Sequence, residues 1–209
     1  MPTLLRIDSS PMAEGTSFSR RLTADFVERW QQTHPDGKVI ARDLSAIDLR
    51  PLTAEWIAAA YTPEDNRTPE QRRALALSDE LIAELEQADE FVVGAPMHNF
   101  SVPSVLKLWI DQVARAGKTF AYGAAGPTGL LRGKKATFLV ASGGVYEPGT
   151  PAAAMNFVEP YLRSVFAFMG VTDTRFISAG GTSRARQGVA PEAILEPARA
   201  SIQAHLAAA

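Results

Sequence analysis

The chain has 209 residues, 46% of them hydrophobic and 21% charged, with a formal charge of −2 and no cysteine. That composition suits one α/β domain able to bury a useful core. It excludes disulfides, iron–sulfur clusters, thiolate zinc sites and cysteine nucleophiles, offers no basic stripe for a nucleic acid, and holds no apolar run near the length of a membrane span.

The N-terminus, MPTLLRID, turns charged too soon for a secretory signal, so the expected address is the cytoplasm. Residues 4–7 form a short apolar run that stops at Asp8-Ser9-Ser10-Pro11 and read as a buried first strand. Leu22, Phe26, Val27 and Trp30 then recur at helical spacing, with Ser17 or Ser19 as the cap and Pro35-Asp36-Gly37 as the closing turn. Residues 38–44 read as a second strand, and residues 52–61 as a short helix carrying Trp56, Ile57 and Tyr61. Thr68-Pro69-Glu70-Gln71 combines a capping box with proline at the first helical position, and Ala74, Leu77, Leu81, Ile82 and Leu85 follow as one apolar face. The third strand spans 90–95. The next helix carries Val105, Leu106, Trp109, Ile110 and Val113, and Gly117 is expected to end it. Within it Lys107 and Asp111, and Asp111 and Arg115, are spaced to pair weakly. A glycine-rich loop over 123–133 leads to the fourth strand, 135–141. A helix near 160–169 stopped by Gly170, a fifth strand over 175–179, and a final helix over much of 191–206 complete the chain, with Pro197 kinking or starting the last.

Strands separated by helices pair in parallel, with helices on both faces, and short continuous apolar strands fit a sheet covered on both sides. No repeat, low-complexity stretch or linker divides residues 1–209, so a single domain is expected. The three histidines, His34, His98 and His205, lack metal-ligand spacing, and no metal is expected.

Ligands of open parallel sheets bind beyond the C-terminal ends of the strands. Three loops lie there. The first, with Ser9, Ser10, Ser17, Phe18 and Ser19, has no G-x-G-x-x-G, which disfavours a dinucleotide-binding dehydrogenase. It offers hydroxyls beside a helix start, a combination that suits a phosphate held without metal, with Arg20 either adding charge or solvated. The serines alone would serve equally as caps. The second loop is Pro96-Met97-His98-Asn99-Phe100, and the third is Ala141-Ser142-Gly143-Gly144. Together the three describe a cradle for flavin mononucleotide (FMN). Pro96 sets the entry angle, Met97 and Phe100 supply wall, Asn99 and backbone N–H groups supply donors, and Gly143 and Gly144 admit a close ring. Taken singly, the second loop also reads as a plain turn with Met97 and Phe100 in the core.

The stretches IDSSP…GTSFSRRL, PMHNFSVPSVLKLWIDQVARAGKTF and ASGGVY resemble the FMN-dependent NADH-azoreductase family, also described as NADH:quinone oxidoreductases. The similarity runs over nearly the whole chain, including LALSDELIAELEQAD, GPTGLLRGKKA and YLRSVFAFMGVTD. The resemblance implies a flavodoxin-like, doubly wound, five-stranded parallel sheet in the order 2-1-3-4-5, and a homodimer with FMN near the interface. It implies a ping-pong reaction in which NADH or NADPH reduces the flavin and a quinone or azo compound takes the electrons. It places phosphate contacts on Ser10, Ser17, Phe18 and Ser19, and ring contacts on Met97, His98, Asn99 and Phe100 and on Ala141, Ser142, Gly143 and Gly144. Two positions depart from the family: His98 stands where tyrosine is common, and Ser142 where arginine is common. Both bear on acceptor and nicotinamide preference. His98 is either a proton donor to the acceptor or an outward ring that shapes the pocket. Phe120, Tyr122 and Tyr146 either line the substrate face or pack. No dedicated catalytic acid or base is expected, because the cofactor carries the hydride chemistry.

A serine hydrolase would need glycine two residues before Ser142, where Val140 stands. A P-loop would need its glycine where Thr128 stands. A flavodoxin-type electron carrier would share fold and FMN; segments 52–61 and 118–132 argue against it, since a carrier needs no substrate lid.

Overall fold

The computed structural model describes residues 1–208. In chain order the elements are β1 (Thr3–Asp8), α1 (Phe18–Thr33), β2 (Lys38–Asp43), α2 (Ala54–Tyr61), α3 (Pro69–Gln87), β3 (Glu90–Pro96), α4 (Ser104–Val113), β4 (Phe120–Gly123), β5 (Gly126–Gly129), β6 (Lys135–Ala141), α5 (Val158–Met169), β7 (Asp173–Ala179) and α6 (Pro191–Ala207). Five strands form one parallel sheet in the order β2-β1-β3-β6-β7. Counted among themselves, these five follow the expected order 2-1-3-4-5. Asp8 is level with Gly94, Pro96 with Ala141, and Ala141 with Ala179. The loops after β1, β3, β6 and β7 therefore leave from one rim.

The central strands are buried on both faces, as their unbroken apolar runs require. Phe91, Val93 and Phe138 meet Leu106, Trp109 and Phe166 on one face; Val92 and Leu139 meet Leu22, Phe26, Trp30 and Leu195 on the other. Burial of each such side chain stabilises the fold by roughly 1.5–3 kcal/mol.

Local signals fixed most boundaries. Thr68 and Gln71 form the reciprocal capping box, with Pro69 in the first turn of α3. The buried face of that helix runs through Leu75 and Ser78 to Leu81, Ile82 and Leu85, whereas Ala74 is exposed. Ser78 is tolerated inside because its hydroxyl donates to the Gln112 carbonyl at 2.6 Å and accepts from Arg115 Nη1 at 2.8 Å. The expected Lys107–Asp111 pair forms at 2.6 Å. The Asp111–Arg115 pair does not: α4 ends at Val113, so Arg115 lies beyond the helical repeat, buried and paired with Asp79. Gly117 serves the following turn at φ 78° rather than the helix end itself. Pro197 lies inside α6, and Pro191 starts that helix.

The loop expected over 123–133 contains part of an antiparallel hairpin, β4–β5. Gly129 packs so closely on the Met169-Gly170 backbone that an added Cβ would stand 2.1 Å from Gly170 N. Leu131 N–H donates to the Met169 carbonyl at 2.9 Å, which anchors the hairpin near the edge of the sheet where β7 begins.

Candidate functional site

The first loop is tied to the sheet from below. Ser9 donates to the Gly94 carbonyl through its N–H at 3.2 Å and its hydroxyl at 2.7 Å. Asp8 is buried beneath, accepting from Thr23 Oγ1 and Arg6 Nε at 2.7 Å each; burial pushes its carboxyl pKa up. Of the two expected caps, Ser17 takes the role, accepting from Arg20 N–H at 3.4 Å. Its Oγ stands 3.3 Å from Ser19 Oγ, both side chains buried. Among the described residues the Phe18 and Ser19 N–H groups, at the open end of α1, have no acceptor. Ser10 Oγ accepts from Met12 N–H at 3.2 Å, which leaves its own proton free. Arg20 is neither solvated nor directed to the cleft. It is buried and turned toward Asp43.

The second loop is a tight turn. His98 and Ser101 exchange N–H to carbonyl bonds at 2.9 and 3.0 Å, and both residues between them have positive φ, Asn99 at 49° and Phe100 at 70°. This is the φ pattern of a primed turn, unusual for phenylalanine. Met97 N–H donates to the Ala141 carbonyl at 2.7 Å, and its side chain packs against the core. No side chain among the described residues hydrogen-bonds the His98 ring, which is exposed.

The third loop is held by the segment after β7. The Ser142 carbonyl accepts from Thr182 N–H at 2.9 Å and Thr182 Oγ1 at 3.1 Å, and Ser183 Oγ donates to the Gly143 carbonyl at 2.7 Å. A Cβ on Gly143 would meet nothing nearer than the Ser183 Cβ at 4.0 Å, so the protein's own packing does not demand glycine there. Its bare backbone leaves open space at the cleft.

These loops enclose a cleft of about 160 Å³. Ser10, Ser17, Phe18 and Ser19 line it from the first loop, Pro96, Met97 and His98 from the second, and Ala141 and Gly143 from the third. Met12, Thr16 and Thr182 line it too and were missed from sequence. Thr182 was within reach of the strand-end rule, since it follows β7 by three residues; Met12 and Thr16 carry no pattern. Asn99, Phe100, Ser142 and Gly144 do not line it. Asn99 and Phe100 project on the turn, and Ser142 is buried with its hydroxyl donating to the Gly144 carbonyl at 2.9 Å. Tyr146 lies beside the turn, its ring edge-on to Phe100 at 6.2 Å, and lines a neighbouring cavity of about 380 Å³. Phe120 and Tyr122 are not brought to the cleft. They sit on the hairpin, Phe120 against Phe168 at 4.5 Å, because the segment before β6 is anchored where the strands begin and the cleft lies where they end.

The arrangement sets hydroxyls and free N–H groups, a donor set of the kind that suits an anion, beside Met97 and Pro96 in one cleft. The family profile described as "Flavodoxin-like fold" matches residues 2–206. An FMN-dependent NADH:quinone oxidoreductase of Acidobacterium capsulatum is 57% identical over 198 residues, 94% of this chain and 95% of its own. FMN-dependent NADH:quinone oxidoreductase 3 of Burkholderia lata is 47% identical over 191 residues, 91% and 92% of the two chains. Among solved structures, an azoreductase from Bacillus anthracis strain Sterne superposes with a TM-score of 0.84 at 29% identity, covering 97% of this chain and 99% of that one. An FMN-dependent NADH-azoreductase from Bacillus anthracis strain Ames Ancestor, solved in complex with FMN, superposes with a TM-score of 0.87 over 99% and 98% of the chains; at 24% identity it bears on the fold alone.

Proposed function

We propose a function from one premise: this chain belongs to the flavodoxin-like family of FMN-dependent NADH:quinone oxidoreductases. It is an enzyme that binds FMN, takes reducing equivalents from NADH or NADPH and delivers them to quinones and azo compounds. Bound FMN would supply the hydride chemistry, with reduction by the nicotinamide and reoxidation by the acceptor as the two halves of a ping-pong reaction.

The cleft fits that cofactor on its donor set. Ser10, Ser17, Phe18 and Ser19 line the cleft together, bringing three hydroxyls and the free N–H groups of Phe18 and Ser19 to it at the positive end of α1. That set holds a phosphate. Met97 and the bare backbone at Gly143 flank the space where a flat ring would lie. Pro96 and Ala141, level with each other at the strand ends, line it too, and His98 lines it from the turn that also carries Asn99 and Phe100. With its ring free of side-chain partners, His98 shapes the approach of the acceptor. Ser142 and Gly144 hold the third loop in place, through the Ser142 hydroxyl on the Gly144 carbonyl and the Ser142 carbonyl on Thr182.

The observation that carries this reading is the meeting of three loops, distant in sequence, in one cleft at a helix start. A homodimer belongs to the same proposal. Phe100, Val145, Met155 and Phe157 are exposed apolar residues, and Phe157 N–H donates to the Phe100 carbonyl at 3.0 Å. So do a cytoplasmic address, where a nicotinamide reductant is at hand, and a chain acting over residues 1–209 as a single FMN-binding unit.

The test is spectroscopic. Purified protein reconstituted with FMN is mixed with NADH without oxygen. Rapid bleaching of the flavin bands, with return of colour on adding a quinone, is the expected result. A bound flavin that NADH leaves oxidised would favour the electron carrier, and a protein that takes up no FMN would overturn the proposal.

A further inference from the structure

We propose that Arg20 is a positioning residue for the FMN phosphate: without touching the anion, it draws the Ser10 carbonyl away from the cleft and so sets the donor face of the first loop. This rests on the FMN reading above.

The geometry is specific. The Arg20 backbone N–H donates to the Ser17 cap at 3.4 Å, while the residue does not line the cleft and its side chain reaches the Ser10 carbonyl and Asp43. Its Nε and Nη2 both donate to the Ser10 carbonyl, at 3.1 and 2.5 Å. The same fork donates to both oxygens of Asp43 at 2.8 and 2.6 Å, and to Ser45 Oγ at 2.9 Å. Ser45 Oγ in turn donates to Asp43 Oδ1 at 2.8 Å. One guanidinium thus joins the end of β2 to the loop after β1.

The electrostatic consequence follows from Pro11. The peptide between Ser10 and Pro11 has no N–H, so it has only a carbonyl to present. A carbonyl oxygen facing an anion repels it. Held behind the loop by two charge-assisted bonds, that oxygen is withdrawn, and Ser10 lines the cleft with its free hydroxyl proton. The charge of Arg20 is matched by Asp43, so its role is direction rather than attraction. Lysine in its place would keep the charge and lose the fork.

The experiment compares FMN with riboflavin, which lacks the phosphate, in titrations of apo-protein followed by flavin fluorescence. Wild type should bind FMN more tightly than riboflavin. Arg20→Lys should weaken FMN roughly tenfold, the scale of one charge-assisted hydrogen bond, and leave riboflavin unchanged. Ser45→Ala, which removes one brace and buries no charge, should shift FMN in the same direction by less. Unchanged FMN affinity in Arg20→Lys would overturn the proposal, as would equal losses for both ligands, since those would mark a general loosening. Should Arg20→Lys fail to fold, Ser45→Ala decides by the same selectivity. A wild type that binds no FMN overturns the underlying reading instead.

Discussion

Asn99 and Phe100 show what residue identity alone conceals. Their side chains read as donor and wall for a flat ligand, yet nothing in the letters marks a phenylalanine at φ 70°. Non-glycine residues held there cost on the order of 1–3 kcal/mol each and persist where surrounding contacts fix them. We expect Phe100→Gly to raise the thermal midpoint of apo-protein by about 2–4 °C, the scale of 1 kcal/mol in a chain of this size, while weakening FMN. A lower midpoint in differential scanning calorimetry would count against strain at this turn. Ser17 separates capping from binding. Aspartate caps a helix as well as serine does, so Ser17→Asp should leave the melting temperature of apo-protein nearly unchanged. Its charge would face the phosphate, and FMN affinity should fall about a hundredfold, a scale set by like charges in close contact. Equal FMN binding in an equilibrium titration would reduce the loop to a cap. Ser142, by contrast, was read as a ring contact and turned out to be buried. Its hydroxyl donates to the Gly144 carbonyl, only two residues away, a bond that residue type does not reveal.

At the level of elements, cap and stop signals at helix ends were legible, and contacts between distant segments were less so. The capping box at Thr68 and the stop at Gly170 involve residues three or four apart, and both are present. Gly170 closes α5 with φ 104°. The β4–β5 hairpin was invisible because its strands contain Gly123, Gly126, Pro127 and Gly129, which propensity assigns to loop. Contact with the end of α5 makes it possible. Gly129→Ala should therefore destabilise the protein by about 3 kcal/mol, since the new Cβ meets backbone that has no rotamer to yield. Chemical denaturation would measure this; a change below about 1 kcal/mol, the typical single-substitution loss, would mean the hairpin relaxes freely. Arg115 shows the same limit. An i,i+4 partner was legible, but once α4 stopped at Val113 the guanidinium turned to Ser78 and Asp79 on α3.

For the molecule as a whole, buried carboxylates set the pH response. Burial raises the pKa of Asp8 and of Glu90, which accepts from Trp30 Nε1 at 2.9 Å. A carboxyl raised by folding binds its proton more tightly in the native state, so its contribution is full below its unfolded pKa and lost as pH rises through the folded value. Asp43 acts in the opposite sense. The hydrogen bonds from Arg20 pull its pKa down to about 2, so its contribution is present above the unfolded value and lost as pH falls toward the folded one. Asp8→Asn isolates the first effect: relative to that variant, wild-type apo-protein should gain melting temperature as pH falls from neutrality toward the ordinary carboxylate range. A difference between the two that does not change with pH, followed by circular dichroism, would contradict this assignment.

The sequence by itself determined the elements of the sheet, its parallel pairing, the rim where the cleft opens and most of the residues that line it. These follow from the lengths of apolar runs and from signals at their ends, which are local properties of the chain. Only the tertiary structure decided where the long polar side chains point: Arg20 to Asp43 across 23 positions, Arg115 to Ser78 across 37, and Thr182 to Ser142 across 40. The reason is physical. A buried polar group takes whichever partner the packed elements bring within about 3 Å, and that neighbour is a product of the fold rather than of the adjoining sequence.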